Sequence, residues 1–192
     1  GSKEFIKSYY PKMIHLVGSG AYRNNGTFVL GTAEGGLKIT MYFVNEMIID
    51  PAYLNEYYFK TMHHEFAHIL NQIKPYSTDF NAISGPDYVT DTWSDAWASE
   101  REAQQNGFIS EYASSEHGED FVELLSIYVT NTPEYWNNVL KNAGAGAEKI
   151  NAKFEIVYNY MLNSWNIDLN ELRDIIQRRQ GEIDTLDLET LN

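Results

Sequence analysis

His63-His64-Glu65-Phe66-Ala67-His68-Ile69-Leu70 is the stretch on which the reading of this 192-residue chain turns. Within it, His64-Glu65-x-x-His68 matches the HExxH pattern of zinc sites. Residues four apart on an α-helix stand one turn above each other, so both imidazoles can reach one ion. Glu65, beside the first histidine, projects to where it can take a proton from metal-bound water. His63 lies off that face. Tyr58, Met62, Phe66, Ile69 and Leu70 give the segment an apolar side. The motif therefore sits inside a strong helical pattern, which argues against a polar helix with incidental histidines.

Upstream of the motif, from Pro11 to Met47, short apolar runs alternate with glycines. Met13–Val17, Thr27–Leu30 and Leu37–Val44 are rich in β-branched and aromatic residues, and Asn24-Asn25-Gly26 and Glu34-Gly35-Gly36 are turn signals between them. The reading is three or so strands, mostly antiparallel. Alternation in Leu37, Ile39, Met41 and Phe43 places four apolar side chains on one face of the last strand. Downstream the pattern is helical. Asp50-Pro51 starts a helix, with a capping carboxylate followed by proline, and the run, one long helix or two joined near Asn55, stops at Pro75. Residues 76–92 read as a polar loop. Helices are expected again at 94–107, 119–129, 133–143, 147–164 and 170–179, with an acidic, frayed tail over 181–192. The fold class is α+β: a small twisted sheet beside the motif helix, and a mainly helical carboxy-terminal lobe. All 192 residues read as one domain, with Gly1-Ser2 as an expression scar.

A zinc site of this kind needs a third protein ligand and one open position. The extension that would supply a third histidine is absent, since Asn71 and Lys74 occupy the places for its glycine and histidine. The other common solution is a glutamate from a later helix, with an acid one turn on that orients a ligand histidine. Glu119-Asp120-Phe121-Val122-Glu123 has that form. In isolation it also reads as a solvated acidic first turn favoured by the helix dipole. Asp120 and His117 compete with Glu119 for the third position, because a one-residue shift of the helix start exchanges them. Asp79, Asp87, Asp91 and Asp95 lack an accompanying pattern. The aspartates between Asp87 and Asp95 lack the oxygen spacing of a calcium loop. His15 reads as a strand residue. Trp93 and Trp97, four apart, read as core more readily than as pocket lining.

Fourteen basic residues against 27 acidic ones leave a net charge of -13, which repels phosphate backbones and anionic headgroups. Nucleic acid and membrane-surface contact by this domain are therefore not expected. With no cysteine, thiolate metal sites, disulfides and cysteine nucleophiles are excluded. No apolar run is long enough to span a bilayer.

The pairing of His64–His68 with Tyr112-Ala113-Ser114-Ser115-Glu116-His117-Gly118-Glu119-Asp120-Phe121-Val122-Glu123 resembles gluzincin-type zinc metallopeptidases. It is similar to the catalytic domain of anthrax lethal factor, which carries a tyrosine seven residues before its glutamate ligand. It is more similar to the zinc metallopeptidase lipoproteins of Bacteroides-type bacteria, often associated with outer-membrane nutrient-import systems. The resemblance implies a zincin-like fold and a Zn2+ cofactor held by His64, His68 and Glu119. It also implies Glu65 as general base, Tyr112 as hydrogen-bond donor to the developing oxyanion, and Glu123 behind a ligand histidine. It further implies a peptide or protein substrate, an extracytoplasmic location as an outer-membrane lipoprotein or a secreted protein, and association with an outer-membrane nutrient-import system. In gluzincin-like folds an edge strand pairs with extended substrate, and Leu37–Val44 is the candidate for that strand. The competing reading is a zinc-containing binding or import-accessory domain without significant peptidase activity.

Overall fold

Five short strands form the amino-terminal part of the computed structural model, which describes residues 11–24 and 26–185. Gly1-Ser2, Asn25 of the expected turn and residues 186–192 of the acidic tail lie outside the described residues. The strands are β1 (Met13–Leu16), β2 (Ala21–Tyr22), β3 (Phe28–Val29), β4 (Gly31–Glu34) and β5 (Lys38–Met41). β2 and β3 make an antiparallel hairpin, and the other three make a sheet of order β1-β5-β4. β4 runs antiparallel to β5, as expected, but β1 runs parallel to it. The chain crosses from β1 to β5 through the hairpin and β4, which allows the parallel pairing.

Two expectations about the last strand are corrected. β5 lies at the centre of its sheet, so it has no free edge, and β4 takes the edge position. The apolar face is also shorter than the alternation suggested. Ile39 and Met41 are buried, Leu37 is exposed, and Phe43 leaves the strand in a left-handed conformation (φ 59°). There its ring packs edge-on against Tyr22 and Phe28 of the hairpin, which competes with continued pairing.

Asp50 caps the first helix through its carboxylate, which accepts from Tyr53 N at 2.9 Å. The helical run comprises α1 (Pro51–Leu54), a π-helical turn (Asn55–Phe59) and α2 (Lys60–Ile73). The segment read as a loop contains a short helix, α3 (Asp79–Ser84). Its Phe80 is buried against Phe121, a tertiary contact that stabilises six residues too few to show a period. The 94–107 helix is broken into α4 (Trp93–Ala96) and α5 (Glu100–Gln105). Ser99 Oγ accepts from Glu102 N, and Glu102 in return accepts from Ala98 N, a reciprocal cap that starts a new helix. The remaining helices are α6 (His117–Thr130), α7 (Pro133–Ala143), α8 (Ala147–Trp165) and α9 (Leu169–Gln180). The tail is ordered over its first residues: Glu182 accepts from Arg178 and Arg179, and Ile183–Thr185 form a 3-10 turn.

α6 is buried on every side from Asp120 to Thr130, which makes it the central helix of the lobe. Phe121 on it stacks on Tyr76 at 4.1 Å and meets Phe80 and Tyr160 edge-on. α2 lies between two cores. Ile69 joins Ile39, Met41, Leu54 and Tyr58 on the sheet side, while Ala67 and Leu70 join the helical lobe. The motif helix is thereby held from both faces. Among the described residues no helix is long and apolar enough to cross a membrane.

Candidate metal centre

The local helix geometry of α2 places His64 and His68 one turn apart, with ring centroids 4.9 Å from each other. Packing of α6 against α2 then brings Glu119, in the first turn of α6, onto the same point. Glu119 Oε2 lies 2.9 Å from His64 Nε2 and 3.2 Å from His68 Nε2. One ligand atom from each of the three residues falls within 4.8 Å of the others, and among the described residues this is the cluster able to hold a metal ion. Two imidazole nitrogens and a carboxylate oxygen are donors that suit zinc.

Glu123, one turn further along α6, reaches behind the site. Its Oε1 accepts from His64 Nδ1 at 2.9 Å, which turns His64 Nε2 toward Glu119. Glu123 Oε2 accepts from Ser110 Oγ at 2.7 Å and lies 3.6 Å from Lys60 Nζ. Ser110 Oγ in turn accepts from Ala113 N, so the 3-10 turn Tyr112–Ser114 hangs from the same carboxylate. Burial opposes charge on Glu123, yet Lys60, His64 and Ser110 outweigh it and hold the carboxyl down at about 2. Burial likewise works against a charged His64, but Glu119 and Glu123 on its two nitrogens raise it to about 10. Glu119 is held well below the ordinary carboxylate range: burial pushes it up, but both histidines pull it down further. In the metal-free protein a proton on His64 Nε2 thus satisfies the carboxylate that a dication would otherwise neutralise.

Glu65 is buried beside the cluster, and burial raises its pKa against the pull of the two histidines. It abuts β4 at Gly31, where a Cβ would lie 2.8 Å from Glu65 Cγ and 2.7 Å from Thr61 Cγ2. Only glycine lets the edge strand come this close to the helix. Tyr112 stacks on His64 with centroids 6.0 Å apart, and its pKa is raised by burial and by Glu119.

The competing candidates point elsewhere. Asp120 is fully buried and turned away from the histidines, accepting from Lys153 Nζ (2.6 Å) and Tyr88 Oη (2.9 Å). His117 pairs with Tyr76 Oη at 2.9 Å through Nδ1. Asp87 pairs with Lys149, and His63 Nδ1 is engaged by Phe59 O. The two tryptophans separate: Trp97 donates to Ser114 Oγ and packs on the core, whereas Trp93 meets Tyr112 edge-on at 5.0 Å and lines the cleft. Sequence reasoning missed Lys60, Ser110 and Arg23. Arg23 Nη2 donates to Tyr112 Oη at 2.9 Å across 89 positions, a separation that no local pattern reports.

A sheet-flanked HExxH helix, crossed by a second helix that delivers a glutamate to the two histidines, defines a zincin-like metal-binding domain of the α+β class. The family described as "Putative zinc-binding metallo-peptidase" matches residues 1–170, and the chain belongs to that family. Zinc is the metal of this family. A crystal structure titled as a putative zinc-binding metallo-peptidase from Bacteroides caccae is similar at 41% identity and a TM-score of 0.80, covering 98% of this chain and 72% of that one. No curated protein matches the chain.

Proposed function

We propose that this chain is a gluzincin-type peptidase that hydrolyses peptide bonds of a peptide or protein substrate. The observation that carries the reading is the convergence of His64, His68 and Glu119 on one point, with Glu65 and Tyr112 beside it. The zinc that His64 Nε2, His68 Nε2 and Glu119 would hold supplies Lewis acidity, polarising the scissile carbonyl and acidifying a water. Glu65 takes a proton from the attacking water as its oxygen bonds to the carbonyl carbon, then passes that proton to the amine nitrogen as the C–N bond breaks. Its burial raises its basicity for that role. Tyr112 donates its O–H to the oxygen of the tetrahedral intermediate. Extended substrate pairs with the free edge of β4, where Gly31 adjoins Glu65.

An extracytoplasmic location and association with an outer-membrane nutrient-import system belong to the same proposal and rest on the family resemblance. The decisive experiment is Glu65→Gln. The variant is expected to retain stoichiometric zinc and to lose about 10²–10⁴-fold in kcat/KM on peptides. Cleavage at the parent rate would remove Glu65 from the mechanism.

A further inference from the structure

Arg23 is a charged group of the cleft that this chemistry leaves unused. It follows β2, and its backbone N–H donates to Thr27 O across the hairpin turn at 2.7 Å. A guanidinium carries five N–H donors, and among the described residues the hydrogen bond it makes goes to Tyr112 Oη. No described carboxylate lies within 4.0 Å of it.

Arg23 borders a cavity of about 600 Å³ that opens beside Glu119 and is also lined by Thr90, Trp93, Tyr112 and Ser115. Three features of this cavity point to a bound group. The Ser115 hydroxyl is buried, on a residue only 9% exposed, and has no hydrogen-bond partner among the described residues; native interiors leave few polar atoms in that state. Thr90 is held at φ 49°, an unfavourable backbone conformation for a β-branched residue and one that gathers at ligand sites. The 14-residue helix α6 begins on this wall at Glu116, which gives no side-chain cap to its first N–H groups. Such a terminus favours negative charge.

We propose that Arg23 forms a subsite for one carboxylate of the substrate, in the cavity whose wall includes Ser115. The enzyme then selects peptides that carry a free carboxylate within a residue or two of the scissile bond. Either an Asp or Glu side chain or the chain-terminal carboxylate supplies that group. The substrate class rests on the peptidase reading above. Placement follows from Tyr112, whose oxygen accepts from Arg23 while its own O–H serves the reacting carbonyl. Anchor and reaction centre are thus one phenol apart, and a residue of extended chain spans about 3.3 Å. Trp93 gives the aliphatic stem an apolar wall. Asp91 and Glu116 line the same cavity and oppose negative charge there, so binding of a carboxylate depends on direct contact with the Arg23 guanidinium.

The test uses N-acetylated peptides in matched pairs, with Glu against Gln at each position around the scissile bond and free acid against carboxy-terminal amide. With the zinc-loaded full chain, the acidic member of one pair is expected to be cleaved with kcat/KM about 10-fold or more above its neutral partner. Which pair shows the effect distinguishes a side-chain from a terminal carboxylate. Arg23→Gln, a change at an exposed hairpin position, brings that ratio to about 1, and Arg23→Lys restores part of it. The ratio separates anchoring from the contact with Tyr112, because weakening Tyr112 slows both members of a pair alike. Equal rates across all pairs, or a ratio unchanged in Arg23→Gln, overturns the subsite. Calorimetric binding of the same peptides to zinc-loaded Glu65→Gln protein, with and without Arg23→Gln, reads the preference without turnover. If the parent cleaves no peptide while the calorimetric preference holds, the peptidase reading fails and the subsite stands. Cleavage without acidic preference gives the converse, and absence of the calorimetric preference overturns the subsite.

Discussion

On its helical side the cleft is lined by groups that are buried and tied to one another: Glu123 holds His64, Ser110 and Lys60, and the helix carrying it is packed on every face. On the opposite side stands the β2–β3 hairpin, two residues paired with two, whose Tyr22 and Phe28 are exposed. The residues that would hold the metal therefore belong to a region that opens only with much of the core, whereas Arg23, which would meet substrate, belongs to one held by few buried contacts. Rigidity is concentrated where ligand atoms must stay fixed within a fraction of an ångström.

That contrast can be broken at several points. Phe121→Ala, in the centre of the helical wall, should cost about 3–5 kcal/mol in urea unfolding and weaken zinc retention with it, since α6 also carries Glu119. Unchanged zinc content in a protein so destabilised would mean that the site does not depend on the lobe. Glu123→Gln leaves volume and fold in place but removes the charge behind His64. Zinc affinity should fall about 10–100-fold in a chelator competition.

The pH dependence sharpens the same point. His64 is raised from 6.5 to about 10 in the metal-free protein, so its contribution to stability is fully present below pH 6.5 and is lost as pH rises through about 10. Zinc must displace that proton, so apparent affinity should rise about tenfold per pH unit across neutrality, with about one proton released in calorimetry. Glu123 behaves oppositely: depressed from 4.5 to about 2, it stabilises the fold above pH 4.5, and that contribution is lost as pH falls through 2. A metal-free Glu123→Gln protein should accordingly show a flatter acid limb in thermal melts. The smallest effect belongs to the hairpin. Phe28→Ala, at a position 55% exposed, should change stability by less than about 1 kcal/mol.

Several elements were legible because short-range rules govern them. Asp50-Pro51 marked a helix start, Pro133–Ala143 had a capped start and a glycine end, and α6 announced itself by its apolar density. The break at Ser99 was also readable, since Ser99 and Glu102 stand at capping-box spacing, but the helical pattern on either side masked it. The central position of β5, the parallel pairing with β1 and the helix around Phe80 were not readable. Strand order and a six-residue helix depend on distant partners that leave no local period.

For the site, the sequence alone determined that His64 and His68 share a helix face with Glu65 beside the first of them, because four-residue spacing on an α-helix is a consequence of backbone hydrogen bonding. It left Glu119, Asp120 and His117 as rivals, since neighbours in a first turn differ only by rotation about the helix axis. Tertiary packing decided among them: Lys153 and Tyr88 draw Asp120 to one side of α6, Tyr76 takes His117, and Glu119 is the carboxylate left facing the histidines. Arg23 entered the cleft by the same route, carried there by a hairpin whose position is set by the packing of Phe43 on its two rings and by no pattern around residue 23.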